Sequence, residues 1–454
     1  MMATRIIRNL TSKNRLYQTH KLIFGNTMSR QISNHNSESV LTIQELAQRI
    51  AKVMGVKSGY SPIQASRTHL LEYVPKSQAD LPPRSMRDSY LVALIPLSSD
   101  LHLQDKYTTF LGYVRVGRLL EDMDIFAVMV AQKHIHNPRL PEGIPSPQTL
   151  VTALVDRIDF SDFVPKPKED IKISGHVSWV GKSTMEVVVW LEQNMYGTWH
   201  RITRALFLIA ARDPTNTKAA VVNAIVPADD REREILAGGE TRKLYRIELE
   251  KQHVSKVIPD DEEQRIVHDL YVRTKSNKDV SLMNVVLPSG AVWMEECTIS
   301  NTIFSQPENR NLHNTVFGGF IMRQAAELSW VLGFKFSKYR PKVKSISDIK
   351  FSKPIAVNSL IHMHAFVVFT QMQFIQITVY VETFDPQTGT SDTTNIVHFT
   401  YEVPEIVKEV IPRTYQEAMM YVDGRRHFLE IMKAGPHAGP KMLNDDGIVH
   451  KSKL

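Results

Sequence analysis

Two rhythms of apolar residues run along this chain, and the pair of rhythms occurs twice. Between residues 116 and 130, Leu120, Met123, Ala127 and Val130 recur at three- and four-residue steps, which predicts a helix. Between residues 319 and 332, Ile321, Ala325, Leu328 and Leu332 repeat that pattern, with Gly333 placed to stop the helix. A strand-like run precedes each helix, residues 90–96 in one case and 291–300 in the other. Period-two, β-branched stretches follow: 177–191 answers 367–381, and 205–210 answers 395–400. Phe160 pairs with Phe351 and Glu192 with Glu382 at almost constant separation, so the strand parts of both copies have kept their lengths. Both helices are apolar on several sides, which predicts helices wrapped by a strongly curved antiparallel sheet instead of laid on a surface. The fold class is therefore α+β, built from two copies of one design.

The boundaries follow from where the rhythm stops. Residues 1–37 are basic and carry no acid, 38–84 form an N-terminal extension, and 85–212 hold the first unit. Residues 213–284 turn to charged sequence such as 231–234 and 260–263, expected to be a helical connector with a solvated face. The second unit takes 285–404, a C-terminal helix 405–434, and an unstructured, Gly- and Pro-containing tail 435–454. The loop from His134 to Gln148 has no counterpart in the second unit and reads as an insertion.

Charge changes the picture less than its total suggests. The net charge is +7, but Arg5, Arg8, Lys13, Arg15, Lys21 and Arg30 all precede the first acid, Glu38, and without them the body is near neutral. That distribution argues against nucleic acid as a partner and has the make-up of a mitochondrial presequence, which points to the matrix. Ser452-Lys453-Leu454 is a possible second, peroxisomal address. No apolar run reaches the roughly 20 residues that a membrane-spanning helix needs. Cys297, the only cysteine, excludes an internal disulfide and thiolate-built zinc sites. His134 with His136, and His362 with His364, lack the flanking ligands that make a metal site specific, so no metal is expected. Trp179, Trp190 and Trp199 read as core. There is no Gly-x-Ser-x-Gly elbow, Walker loop or Gly-x-Gly-x-x-Gly.

Residues 314–322 (Asn-Thr-Val-Phe-Gly-Gly-Phe-Ile-Met) resemble the loop that enters the central helix of hotdog-fold acyl-CoA thioesterases. Residues 150–159, 175–187 and 394–400 resemble strands of the same family, in the same order. With the basic N-terminus and the long connector, the chain is most similar to the mitochondrial double-hotdog branch, over roughly residues 85–428. The resemblance implies a tandem hotdog, two curved antiparallel sheets each around a long helix, that hydrolyses acyl-CoA to fatty acid and coenzyme A. It also implies homo-oligomers of double-hotdog protomers, with no cofactor beyond the coenzyme A of the substrate. The alternatives are a hotdog enoyl-thioester hydratase or dehydratase, and a non-catalytic acyl-CoA-binding protein.

Thioester hydrolysis needs an activated water and a group that stabilises the carbonyl oxyanion. A carboxylate desolvated on a buried helix can be the base, because burial raises its pKa. Asp124 is the candidate, Asn314 the family-like polar group that holds carbonyl or water, and Glu327 the rival acid. Gly318 and Gly319 would let substrate approach the helix N-terminus, whose amides favour negative charge. For the coenzyme A arm the resemblance points to Gly181, Lys182, Ser183 and Thr184, which equally suit a plain hairpin turn; Arg323 and Lys353 are further phosphate candidates. The departures from the family are specific: Thr315 sits three residues before Gly318 where relatives often have Asn or Asp, and the first unit has Gly117-Arg118 for Gly-Gly. They suggest one composite site, pairing the helix of the first unit with the entrance loop of the second.

Overall fold

The computed structural model describes residues 40–53, 66–251, 256–275, 285–311, 315–386 and 388–434. The expected presequence, the tail and Asn314 lie outside the described residues. The helices and strands named below belong to the unit from Thr42 onward.

The helices of ten or more residues are α1 (Ile43–Val53), α2 (Val116–His134), α3 (Asp230–Lys251), α4 (Asp261–Arg273), α5 (Gly318–Ser337) and α6 (Tyr415–Ala434). The first half contributes strands β1 (Leu91–Ile95), β2 (Thr149–Val155), β3 (Ile158–Phe160), β4 (Ile171–Val180), β5 (Thr184–Met195) and β6 (Thr198–Arg212). The second contributes β7 (Thr298–Phe304), β8 (Lys342–Ser347), β9 (Ile349–Lys350), β10 (Leu360–Gln371), β11 (Phe374–Phe384) and β12 (Ser391–Glu402).

These strands make one continuous antiparallel sheet in the order β1-β4-β5-β6-β3-β8-β12-β11-β10-β7. The two sheets expected from the sequence are thus joined edge to edge. Ser345 and Ile346 of β8 pair with Asp159 and Ile158 of β3, and Ile349 and Lys350 of β9 with Val155 and Leu154 of β2. Pairing the two inner edges satisfies backbone groups that would otherwise be left open. The duplication extends to irregularities. Bulges at Val177/Trp179, Leu191/Glu192 and Thr152/Leu154 in the first half recur at Val367/Phe369, Val381/Glu382 and Val343/Ser345 in the second. Since a bulge bends and twists its strand, both halves curve at equivalent points.

Each half lays its strands on its own long helix, α2 or α5, and the two helices pack against each other. In β10 the alternation is clean up to Phe366: Ile361, Met363 and Ala365 are fully buried between more exposed neighbours, and from Val367 to Thr370 every residue is buried. On α2, Leu120, Met123, Ala127 and Val130 are fully buried as the spacing predicted.

Four expectations need correcting. Gly333 does not stop its helix: α5 runs on to Ser337, and Lys338, in the left-handed region at φ 68°, ends it. Gly333 is small because Pro341 packs on it, a Cβ there falling 3.1 Å from the proline ring. His134, expected in a loop, is in the last turn of α2, fully buried with Nε2 at 3.0 Å from the Asn223 carbonyl. The strand expected over 291–300 is split by a short 3-10 turn; residues Ala291–Trp293 pair in parallel with Glu409–Ile411. Trp199 is not core: it is exposed beneath the Lys172 ammonium, whereas Trp179 and Trp190 are buried.

Within 213–284 the chain forms α3 and α4, the latter begun by a reciprocal capping box between Asp260 and Glu263. α3 docks on the first half through buried charge: Arg242 binds the fully buried Glu186, which also accepts from Ser178 at 2.8 Å. Arg246 completes the cluster, reaching Asp156 at 2.9 Å and Glu186 at 3.2 Å. The two guanidiniums hold Glu186 below its ordinary pKa although burial pushes it up.

Candidate active site

Asp124 lies two turns into α2 and is buried to 2% exposure, with no cation among the described residues to neutralise it. Its Oδ1 accepts from the Thr152 hydroxyl of β2 at 2.6 Å. Its Oδ2 accepts from the backbone N–H of Gly319 at 2.7 Å, in the first turn of α5 and so from the other half of the chain. Burial pushes the carboxyl up to about 6, with the nearby Glu121 charge adding to the rise, while the Thr152 and Gly319 hydrogen bonds hold it down.

Gly319 lets the helices approach this closely: a Cβ there would lie 3.0 Å from Glu121 Cα and 3.1 Å from Asp124 Cβ. Gly318 opens α5 beneath the Phe351 ring, which a Cβ would meet at 2.8 Å. A cavity of about 710 Å³ opens between the halves, lined by Asp124, Ile125 and Thr152 from the first and by Phe317, Gly318 and Phe351 from the second. Its rim carries the cationic Arg212, Arg310 and Lys353, the last paired with Asp392. Asp124 and the α5 entrance therefore share one crevice.

Other candidates fall elsewhere. Glu327 faces a different cavity and is ion-paired with Arg115. Arg323 pairs with Glu121 at 3.0 Å between the two helices. Gly181, Lys182, Ser183 and Thr184 form the turn between β4 and β5 outside the cavity lining, although Thr184 pairs with the lining residue Ala210. Asp122 is buried and accepts from the Tyr107 hydroxyl at 2.5 Å; burial pushes it up to about 7. Thr152 was missed as a site residue. It stands at the β2 bulge, where strict alternation breaks, so periodicity does not tell which face its hydroxyl takes.

Among the described residues one cluster has metal-ligand composition: His398, Asp423 and His427 bring one ligand atom each within 4.8 Å. The two imidazoles stack at 3.7 Å with 23° between their planes, so their in-plane lone pairs run side by side instead of converging on an ion. Sequence reading missed this cluster because His398 stands alone in its strand and meets Asp423 and His427 only when α6 folds back over β12.

No protein-family profile matches the chain. Among curated proteins it is 38% identical over 420 residues to acyl-coenzyme A thioesterase 10, mitochondrial, of Mus musculus, covering 91% of this chain and 95% of that protein. It is 37% identical over 430 residues to acyl-coenzyme A thioesterase 9, mitochondrial, of Homo sapiens, covering 94% and 95%. Solved structures include an acyl-CoA hydrolase from Bacillus cereus (20% identity, TM-score 0.30, 31% of this chain and 90% of that one). A putative oleoyl thioesterase from Lactobacillus plantarum aligns over 70% of this chain and 97% of its own at 8% identity and TM-score 0.40. The chain belongs to the acyl-coenzyme A thioesterase family.

Proposed function

We propose that this protein hydrolyses acyl-CoA thioesters to fatty acid and coenzyme A in the crevice between its halves, with Asp124 as general base. The observation that carries the reading is a buried carboxylate with no cation beside it among the described residues, raised to about 6, held between Thr152 and the α5 entrance in a cavity large enough for substrate. Ionised near neutral pH, Asp124 takes a proton from water as the water oxygen attacks the thioester carbon. The oxyanion forms at the N-terminus of α5, where the Gly319 N–H already serves Asp124 and the Gly318 amide remains at the positive end of the helix. Collapse of the intermediate expels the coenzyme A thiolate, which regains the proton from Asp124. Asn314, as the residue that orients carbonyl or water, extends this reading.

The duplicated strands, each set on one long helix, support a tandem hotdog whose two sheets have merged. Homo-oligomers of such protomers follow from the same kinship, and light scattering of the purified protein tests them. A carboxylate base calls for no metal or redox cofactor, so exhaustive chelation should leave the rate unchanged. The relatives' names and the basic N-terminus support import into mitochondria. Fluorescent fusions that mask each end in turn test this, and unchanged distribution on masking Leu454 would remove the peroxisomal route.

The direct test follows free thiol while the protein is incubated with acyl-CoAs of graded chain length. Thiol release lost in Asp124→Asn supports the reading; water addition to an enoyl-CoA, or binding without release, overturns it.

A further inference from the structure

The fold has a second crevice, related to the first by the internal repeat. Gly117 on α2 meets Arg323 and Glu327 on α5 as Gly319 meets Glu121 and Asp124, with a Cβ at either glycine falling 3.1 Å from the opposing backbone oxygen. With Gly117 set against Gly319, the helices place Asp124 opposite Ala326 in the repeat, Ile125 opposite Glu327 and Val128 opposite Trp330. Along the strands, Thr152 corresponds to Val343 and Phe351 to Phe160. All five counterparts line a cavity of about 390 Å³, within the usual range of about 300–1,000 Å³ for small-molecule sites.

The chemistry differs at each point that matters. The base is replaced by Ala326 and its hydroxyl donor by Val343, and the acid beside them, Glu327, is neutralised by Arg115. The walls are aromatic and aliphatic, with Phe110, Phe163, Trp330 and Leu119 among them, and Phe110 is 81% exposed at the mouth. One cation stands at the rim without a carboxylate among the described residues: Arg340, half-buried, its guanidinium 3.5 Å from the centre of the Tyr113 ring. A partly desolvated guanidinium beside an apolar slot suits an amphiphile with one anionic end.

We propose that this second crevice is a non-catalytic binding site for a long-chain fatty acid, with the hydrocarbon along Trp330 and Phe163 and the carboxylate on Arg340. The occupancy does not depend on the hydrolase reading, because binding is read directly and needs no turnover.

Trp330 supplies the probe: of the five tryptophans, it alone lines this crevice, and none lines the Asp124 cavity. The full chain is titrated with dibromostearate while tryptophan fluorescence is followed. The expected result is saturable quenching that disappears in Trp330→Phe and needs at least about tenfold more ligand in Arg340→Met. The methyl ester of the same acid should be weakened similarly on the unaltered protein, an arm that requires no variant to fold. Absent quenching, quenching that persists in Trp330→Phe, or equal affinity for acid and ester would overturn the proposal. Tighter quenching by the brominated acyl-CoA than by the free acid would also overturn it.

Discussion

The crevices at the two ends of the α2–α5 contact share a backbone plan and differ in one electrostatic decision. At one end the acid, Asp124, is buried with two neutral donors and no cation among the described residues, and its pKa rises to about 6. At the other the acid, Glu327, stands one residue later, partly exposed, and is held by Arg115. A lone buried carboxylate can take up and release a proton near neutral pH, whereas Glu327 is engaged in an ion pair with Arg115. Duplication supplied the frame twice, and the two copies differ in where one acid stands relative to one cation.

The largest expected effect comes from Asp124→Asn, which should lower kcat at least about a hundredfold, the usual scale for losing a general base. The same replacement should stabilise the protein. Because the folded-state pKa lies above the ordinary 3.8, ionised Asp124 is a burden that is absent at low pH and grows as pH rises through about 6. Above that range the variant should gain on the order of 3 kcal/mol, read as a melting-temperature difference that vanishes near pH 4. Gly319→Ala should come next: a methyl group 3.0 Å from Glu121 Cα forces the helices apart, and kcat should fall about tenfold or more as the α5 entrance shifts. Thr152→Val removes a donor that favours the ionised carboxylate, so the acidic limb of the pH–rate profile, near 6, should move up by about one unit. The smallest effect belongs to Glu327→Gln, which should change kcat less than about twofold; a loss as large as that of Asp124→Asn would erase the distinction between the crevices.

Much of this arrangement is legible in the sequence, for identifiable reasons. The α2 stripe and the alternation of β10 can be read because burial imposes helix and strand periods on local sequence. Asp124 is singled out by its place two turns after Gly117 together with the family resemblance, since Glu121 and Asp122 share its helix. What escapes is whatever depends on distant partners. Nothing near Glu327 foretells Arg115, which folds onto it from the other half of the chain. Strand edges do not encode their neighbours, so the β3–β8 joint that merges the expected sheets is absent from any local pattern. Gly333 misled because a glycine near a helix end usually ends it, whereas here it makes room for Pro341.

The hydrogen bond from Gly319 to Asp124 spans 195 residues of chain. At a synthesis rate of about 5–20 residues per second, the donor is made roughly 10–40 s after the acceptor. A nascent chain thus holds a complete first half whose Asp124 still lacks its amide. Competence should arrive late and in one step, when α5 docks.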